Sequence, residues 1–270
     1  MKFIKTYLLY SILVSVLATS CQSVPQTIAR EDLKKFYDTY KVQGSFIVYD
    51  QKKNRYTVYN KEETSTAYTP ASTFKIFNSL VSLETKVVKD QHVVFKWDGK
   101  ERPVKAWNHD TDMKDAFKNS TVWYYQELAK RVGENQMKTW LDKAKYGNAD
   151  ITGGIDGFWL WGKLRITPNE QIDFLRRLHD DQLPFSKRSM DIVKDIMIVK
   201  DTLGTVVRAK PGSGKQDNQY VGWYVGYITT KDNVYYFSNC IQSTEKREDF
   251  GEARFEIVSD ILDELKILKK

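Results

Sequence analysis

Cysteine is scarce in this chain: Cys21 and Cys240 are the only two in 270 residues. That excludes a scaffold built on disulfides and any C-x-x-C redox or zinc motif. Only three histidines are present, His92, His109 and His179. Each sits in polar sequence without an evident acidic partner and reads as a surface or loop residue. The H-E-x-x-H signature of zinc hydrolases and the G-x-S-x-G elbow of α/β-hydrolases are both missing. The stretch Pro211-Gly212-Ser213-Gly214-Lys215-Gln216 hints at a phosphate loop. It fails, because Ala209 stands where the first glycine belongs and Gln216 replaces the Ser/Thr that would hold magnesium. No metal site and no nucleotide site is therefore expected. Long blocks of one charge are absent too: 42 basic and 35 acidic residues are interspersed, for a net charge of +7. Nucleic-acid binding is not expected from that distribution.

Beyond the N-terminus no run approaches the ~20 apolar residues needed to span a bilayer. At the N-terminus, Lys2 and Lys5 precede an apolar run from Tyr7 to Ala18 and small residues lead into Cys21. This is the layout of a secretory signal over residues 1–20. Leu17-Ala18-Thr19-Ser20-Cys21 also resembles a lipobox, in which Cys21 would be acylated. The expectation is an exported, periplasmic protein, anchored to the membrane through lipid on Cys21. Loss of residues 1–20 removes Lys2 and Lys5 and lowers the net charge from +7 to +5. About 250 residues can bury roughly 70–75% of their unfolded surface without disulfides. Cys240, left without a partner and set in the alternating run Asn233 to Ile241, reads as a buried structural thiol.

Residues 21–43 form a tether and an N-terminal helix, Arg30 to Tyr40, ahead of a catalytic domain at 44–270. Ser45–Tyr49 and Tyr56–Tyr59 flank the polar turn Asp50-Gln51-Lys52-Lys53-Asn54 and predict a hairpin. From Ser72, the apolar residues Phe74, Phe77, Leu80, Val81 and Val88 mark a helical stripe. Most of 110–200 is helical in character, with Thr167-Pro168-Asn169-Glu170 a capping box that opens a helix to Leu178. Strand patterns return at Thr205–Arg208, Tyr220–Thr229 and Val234–Ile241, and an amphipathic helix covers Glu252 to Leu268. The fold class is α/β of the α+β type: terminal helices on a mostly antiparallel sheet, with a helical lobe inserted between early and late strands.

The chemistry lies in Pro70-Ala71-Ser72-Thr73-Phe74-Lys75. A serine three residues before a lysine at a helix start shares one face with it, so the amine can reach the hydroxyl. The helix N-terminus adds backbone N–H and positive dipole to stabilise an oxyanion. Serine needs a base near neutral pH, and lysine is the one offered. Phe74, Ile76 and Phe77 surround Lys75, and burial disfavours the ammonium form. S-x-x-K recurs in Ser243-Thr244-Glu245-Lys246, a charged turn with nothing to desolvate its lysine.

Further motifs follow in order: Ser120-Thr121-Val122 on a predicted helix, Tyr146-Gly147-Asn148, and Phe158-Trp159-Leu160-x-Gly162. Together with the S-x-x-K motif they resemble class D serine β-lactamases, the oxacillinases, from about residue 44 to 262. The resemblance implies the serine β-lactamase/penicillin-binding transpeptidase-like fold and hydrolysis of β-lactam antibiotics through a Ser72 acyl-enzyme, conferring resistance. It implies that Lys75 is converted by CO₂ or bicarbonate to a carbamate (N6-carboxylysine) that acts as general base. No other cofactor is implied. Val122, Trp159 and Leu160 would line the carbamate pocket, with the Trp159 indole N–H donating to it. Ser120 would relay a proton to the β-lactam nitrogen. Lys210, Gly212, Ser213 and Arg254 would bind substrate, with the Ser213 N–H in the oxyanion hole and Arg254 on the substrate carboxylate.

Two positions depart from that pattern. The motif normally reading Lys-Thr-Gly or Lys-Ser-Gly is Lys210-Pro211-Gly212. Proline brings neither hydroxyl nor N–H, so substrate anchoring is expected to weaken. N–H groups at i and i+2 of a strand share an edge, which puts Pro211 with Ser213 at the open cleft, where proline is tolerated. Trp161 stands where an acidic or polar residue is commoner. Two other readings compete: a β-lactam-binding lipoprotein that acylates without turnover, as sensors of this fold do, and a cell-wall D,D-peptidase. Tyr146-Gly147-Asn148 with Trp159 argues against the peptidase.

Overall fold

A computed structural model describes residues 24–270. The expected signal segment and Cys21 lie outside the described residues. Seven strands form one sheet in the order β1-β3-β2-β7-β6-β5-β4. They are β1 (Gln26–Ala29), β2 (Gln43–Asp50), β3 (Arg55–Tyr59), β4 (Ile198–Thr202), β5 (Thr205–Gln216), β6 (Gln219–Thr230) and β7 (Val234–Ser243). All neighbours are antiparallel except β1 against β3. The helices are α1 (Lys34–Thr39), α2 (Lys75–Glu84), α3 (Met113–Lys118), α4 (Val122–Val132), α5 (Glu134–Ala144), α6 (Pro168–His179), α7 (Lys187–Ile196) and α8 (Phe250–Glu264).

The sheet divides the core in two. On one face Leu33, Tyr37, Ile257 and Ile261 of the terminal helical segments pack against Val207, Ala209, Ile228 and Phe237. On the other, α2, α4, α6 and α7 pack against Ile47, Val225 and Tyr236. This is the expected architecture, with the helical lobe on one face and the terminal helices on the other. Among the described residues no helix is long and apolar enough to cross a membrane.

The capping box is present as expected: Thr167 Oγ1 accepts from Glu170 N, and the Glu170 carboxylate accepts from Thr167 N. Cys240 is buried and free, and its thiol pKa is raised by burial. Several expectations are corrected. Gln26–Ala29, read as tether, adds a parallel edge strand, its N–H of Gln26 bonding Asn54 O at 3.1 Å. Residues 198–200, within the stretch read as mostly helical, instead open edge strand β4. β5 runs to Gln216 rather than Arg208, carried through the proline and both glycines by its ladder to β6. The last helix ends at Glu264 instead of Leu268. The helix from Ser72 begins as a 3₁₀ turn over Ala71–Phe74 and closes at Glu84, leaving Val88 outside it. The histidines do have acidic partners: His92 lies 3.6 Å from Asp112, His109 3.0 Å from Asp115 and His179 2.7 Å from Asp180. Nor is His179 a loop residue, since it closes α6.

Tyr146-Gly147-Asn148 closes a loop. Asn148 Nδ2 donates to Lys163 O at 2.9 Å, and Asn148 Oδ1 accepts from Arg165 N at 2.9 Å. The backbone of Asn148 donates to Arg165 O at 3.0 Å. Both ends of segment 148–165 are thereby tied together, and Trp159 sits inside it. Gly147 has φ +51, and a Cβ there would lie 2.1 Å from Arg165 O. Gly147→Ala must therefore break the tie or strain it, at a cost of about 1–3 kcal/mol. A fall in melting temperature of roughly 2–12 °C is expected for a chain of this size, together with weakened protection of Trp159 in quenching experiments. An unchanged melt would mean that the loop is not held this way.

Candidate active site

Local hydrogen bonds set the nucleophile turn before the helix begins. Ala71 adopts φ +47, a left-handed conformation disfavoured for a residue with a Cβ. Its N–H donates to Trp159 O at 3.0 Å. Thr69 Oγ1 donates to the same carbonyl at 3.0 Å, and Trp223 Nε1 donates to Thr69 O at 2.9 Å. Thr73 Oγ1 donates to Pro70 O and accepts from Gln171 Nε2. The strained residue is thus held by neighbours on both sides, the condition under which such strain persists. It aims Ser72 at the seam between the sheet and the helical lobe.

Lys75 Nζ donates to Ser72 Oγ at 2.9 Å. Lys75 is fully buried, 5.2 Å from the centroid of Tyr125. Burial pushes its ammonium pKa down from 10.5 to about 7. Trp159 is fully buried on Phe74, with ring centroids 5.2 Å apart, and its Nε1 has no hydrogen-bond partner. A buried amine that loses its proton near pH 7 and an unpaired buried indole donor have the chemistry a carbamate needs: a nucleophile for CO₂ and a donor for the resulting anion. Val122 and Leu160 are half-buried, Val122 opening α4 and Leu160 following Trp159.

Ser120 is not on a helix as expected. It occupies the turn between α3 and α4 with φ +54, and Trp107 Nε1 holds the preceding residue through Asn119 O at 2.9 Å. Ser120 Oγ accepts a short hydrogen bond from Lys210 Nζ. Lys210 is buried, its pKa lowered well below 10.5 by burial and then by Lys75 and Arg254. The Phe117 ring lies 5.3 Å beneath its Nζ. Trp107 escaped sequence reasoning, because nothing in its flanking residues separates a brace for the Ser120 turn from an ordinary aromatic.

β5 lies directly against the nucleophile turn. A Cβ at Gly212 would come 3.0 Å from Pro70 O and 3.3 Å from Ser72 N. Any side chain there would crowd the turn, which glycine avoids. Ala209 N donates to Met197 O on the outer edge of β5, and alternation puts Pro211 and Ser213 N on that same edge. Pairing with β4 stops at Arg208, so Pro211 costs the sheet no ladder bond there. Arg254, in the first turns of α8, donates from Nη1 to Gly212 O at 2.7 Å and to Ser213 Oγ. Burial lowers its pKa to about 10. Trp161 is 64% exposed beside the cleft loop, its ring over Gly157. Lys246 of the second S-x-x-K is exposed, as expected. Among the described residues no group of three or more His, Cys, Asp or Glu side chains could hold a metal ion.

A serine activated by a desolvated lysine, facing a lysine–glycine strand, defines the penicillin-recognising class. The model of the penicillin-binding protein transpeptidase domain matches residues 43–263. Within that class, the chain is 42% identical over 202 residues to β-lactamase OXA-48 of Klebsiella pneumoniae, covering 75% of this chain and 76% of that protein. The crystal structure of the class D β-lactamase YbXI from Nostoc superposes with TM-score 0.85 at 41% identity, covering 88% of this chain and all of that one. Regulatory protein BlaR1 of Bacillus licheniformis is 34% identical over 254 residues, 93% of this chain. The chain spans only 42% of BlaR1's own length. The chain belongs to the class D β-lactamase family and is a serine hydrolase of β-lactams.

Desolvation of Lys75 ties stability to pH. In the unfolded chain the lysine stays protonated up to about pH 10.4, whereas in the fold it loses its proton near 7. Between those values the unfolded state binds more protons, so stability rises with pH across that window. Below it the buried charge costs several kcal/mol. Lys75→Met is therefore expected to abolish acylation and to raise the melting temperature, most at pH 6 and least near pH 10. Destabilisation at pH 6 would contradict the assignment.

Proposed function

We propose that Ser72 attacks the β-lactam carbonyl and that carbamylated Lys75 serves as general base in both acylation and deacylation. The observation that carries this reading is the buried Lys75 amine 2.9 Å from Ser72 Oγ. When formed, the carbamate supplies a base strong enough to take the serine proton and then to activate water. Lys75, with Ser72 Oγ in reach, holds the proton path at one end. Trp159 Nε1 offers the donor that orients the carboxylated lysine, and Val122 and Leu160 keep water from it. Ser120 Oγ, bonded to Lys210 Nζ, passes a proton to the departing lactam nitrogen. The N–H groups of Ser72 and Ser213 receive the oxyanion. Arg254 and Lys210 anchor the substrate carboxylate.

The sequence features of residues 1–21 fit the same role: export to the periplasm with lipid on Cys21, where β-lactams meet their targets. Bacterial resistance follows from that placement.

Penicillin hydrolysis by the purified mature protein is expected to rise with added bicarbonate and to vanish in Ser72→Ala. A single stoichiometric burst that leaves a stable adduct on Ser72 would favour the second reading. In that reading the chain acylates without turnover, as its 34% identity to BlaR1 and the proline at 211 favour.

Pro211 weakens anchoring by one hydrogen bond to the carboxylate. Losing a bond to a charged group costs about 1.5–3 kcal/mol, so tenfold to a hundredfold is the ceiling on what Pro211→Thr restores. A gain in kcat/KM carried mainly by KM is expected; no gain would sink this account of Pro211.

A further inference from the structure

The loop that carries Trp159 reaches the rest of the protein in two directions. Residues 154–162 coil on themselves: Gly154 O accepts from Gly157 N and Phe158 N, both at 2.9 Å. Gly157 O accepts from Leu160 N at 2.8 Å and from Trp161 N at 3.0 Å. Turns closed at this spacing couple Asp156 to Trp159 and Leu160. Inward, Trp159 O holds Ala71 N and Thr69 Oγ1 of the nucleophile turn. Outward, Asp156 meets α4: its carbonyl accepts from Gln126 Nε2 at 3.0 Å, and its carboxylate lies 3.0 Å from Lys130 Nζ.

Gln126 and Lys130 are one helical turn apart and share a face of α4 with Val122, a turn earlier still. The residue before Gln126 is Tyr125, fully buried, its ring 5.2 Å from Lys75 Nζ. Tyr125 and Trp159 belong to one core, and Leu160 packs against it. Gln126, Lys130 and Trp123 also line an open cleft with Phe95 and Arg102. The tie to Asp156 therefore sits at the border between water and the core that buries Lys75. Its two contacts differ in weight. The Lys130–Asp156 pair is exposed at 53% and 35%, where an ion pair contributes little. Gln126 is half-buried, and its loss takes from the Asp156 carbonyl the donor that holds it.

We propose that Gln126 is a positioning residue for the carboxylated lysine: by holding the Asp156 carbonyl from α4, it keeps Trp159 and Leu160 closed over Lys75 and so retains the carbamate. This rests on the carbamate reading given under the proposed function. Carboxylation joins the Lys75 nitrogen to the carbon of CO₂, opens one C=O bond to give the carboxylate and releases a proton from the nitrogen. The reverse reaction returns a proton to that nitrogen and expels CO₂. Opening the loop admits water, which stabilises the competing ammonium. It also moves the unpaired Trp159 N–H away from the anion. Both effects shift the balance toward free CO₂, and neither requires any change at Ser72 itself.

The test equilibrates the purified protein with carbon-13 bicarbonate and follows the carbamate carbonyl by NMR, with Lys75→Met as the blank. Gln126→Met keeps the bulk of the side chain and removes the donor. The CO₂ concentration for half-carboxylation is expected to rise about fivefold in Gln126→Met, in line with one lost hydrogen bond. In Lys130→Met it is expected to rise less than about twofold. Amide hydrogen exchange at Phe158 and Leu160 is expected to quicken about fivefold in Gln126→Met while β6 stays protected. Acylation of Ser72 by benzylpenicillin, a step that both readings of the site contain, is expected to slow at low bicarbonate and to recover at saturation. A deficit that saturating bicarbonate does not lift would mark a merely structural loss and overturn the proposal. So would an unmoved half-carboxylation concentration, unchanged exchange, or an equal shift in Lys130→Met. A wild-type chain with no carbamate resonance would remove the general base of the proposed function and this proposal together, whereas a normal wild-type resonance beside an unmoved variant removes this proposal alone.

Discussion

Everything in the site depends on one unfavourable act: a lysine amine taken wholly out of water. Lys75 is fully buried and meets no carboxylate among its hydrogen-bond partners. Desolvation therefore acts unopposed, and neutralisation is the cheapest response. The surroundings are arranged to keep it so. The Tyr125 ring lies 5.2 Å from its amine, and Phe74, the residue before it, joins Phe77, Tyr146, Phe158 and Trp159 in a continuous aromatic cluster. Burial makes the lysine chemically useful and makes the fold bear a cost in stability.

The second constraint is the closeness of β5 to the nucleophile turn. Gly212 and Gly214 let the strand backbone approach Pro70, Ala71 and Ser72. Proline just before these two positions is compatible because its missing N–H falls on the edge that β4 does not reach. A central strand, paired on both edges, would lose a ladder bond to the same residue.

The chemical motifs were legible in the sequence because each is short and local. The S-x-x-K spacing, the capping box at Thr167 and the alternation of β6 and β7 all reflect one turn of helix or one strand pleat. What escaped depends on distant partners. β1 has no apolar alternation of its own and exists by pairing with β3. β4 follows a helix and is stabilised by the bend into β5. Ser120 reads as helical because its neighbours on both sides are, yet a left-handed turn breaks α3 from α4 there. His92–Asp112 and His109–Asp115 are brought together by folding, across gaps too irregular to signal a motif.

Closure of segment 148–165 by Asn148 has a thermodynamic consequence. The ring so formed carries Trp159, whose carbonyl in turn holds Ala71 and Thr69. Any excursion that opens this ring lets water reach the amine beside Ser72. Water stabilises the ammonium, so protonation and opening are linked equilibria. Acid then favours the open arrangement, which makes the loop's own breathing a gauge of the protonation state of Lys75.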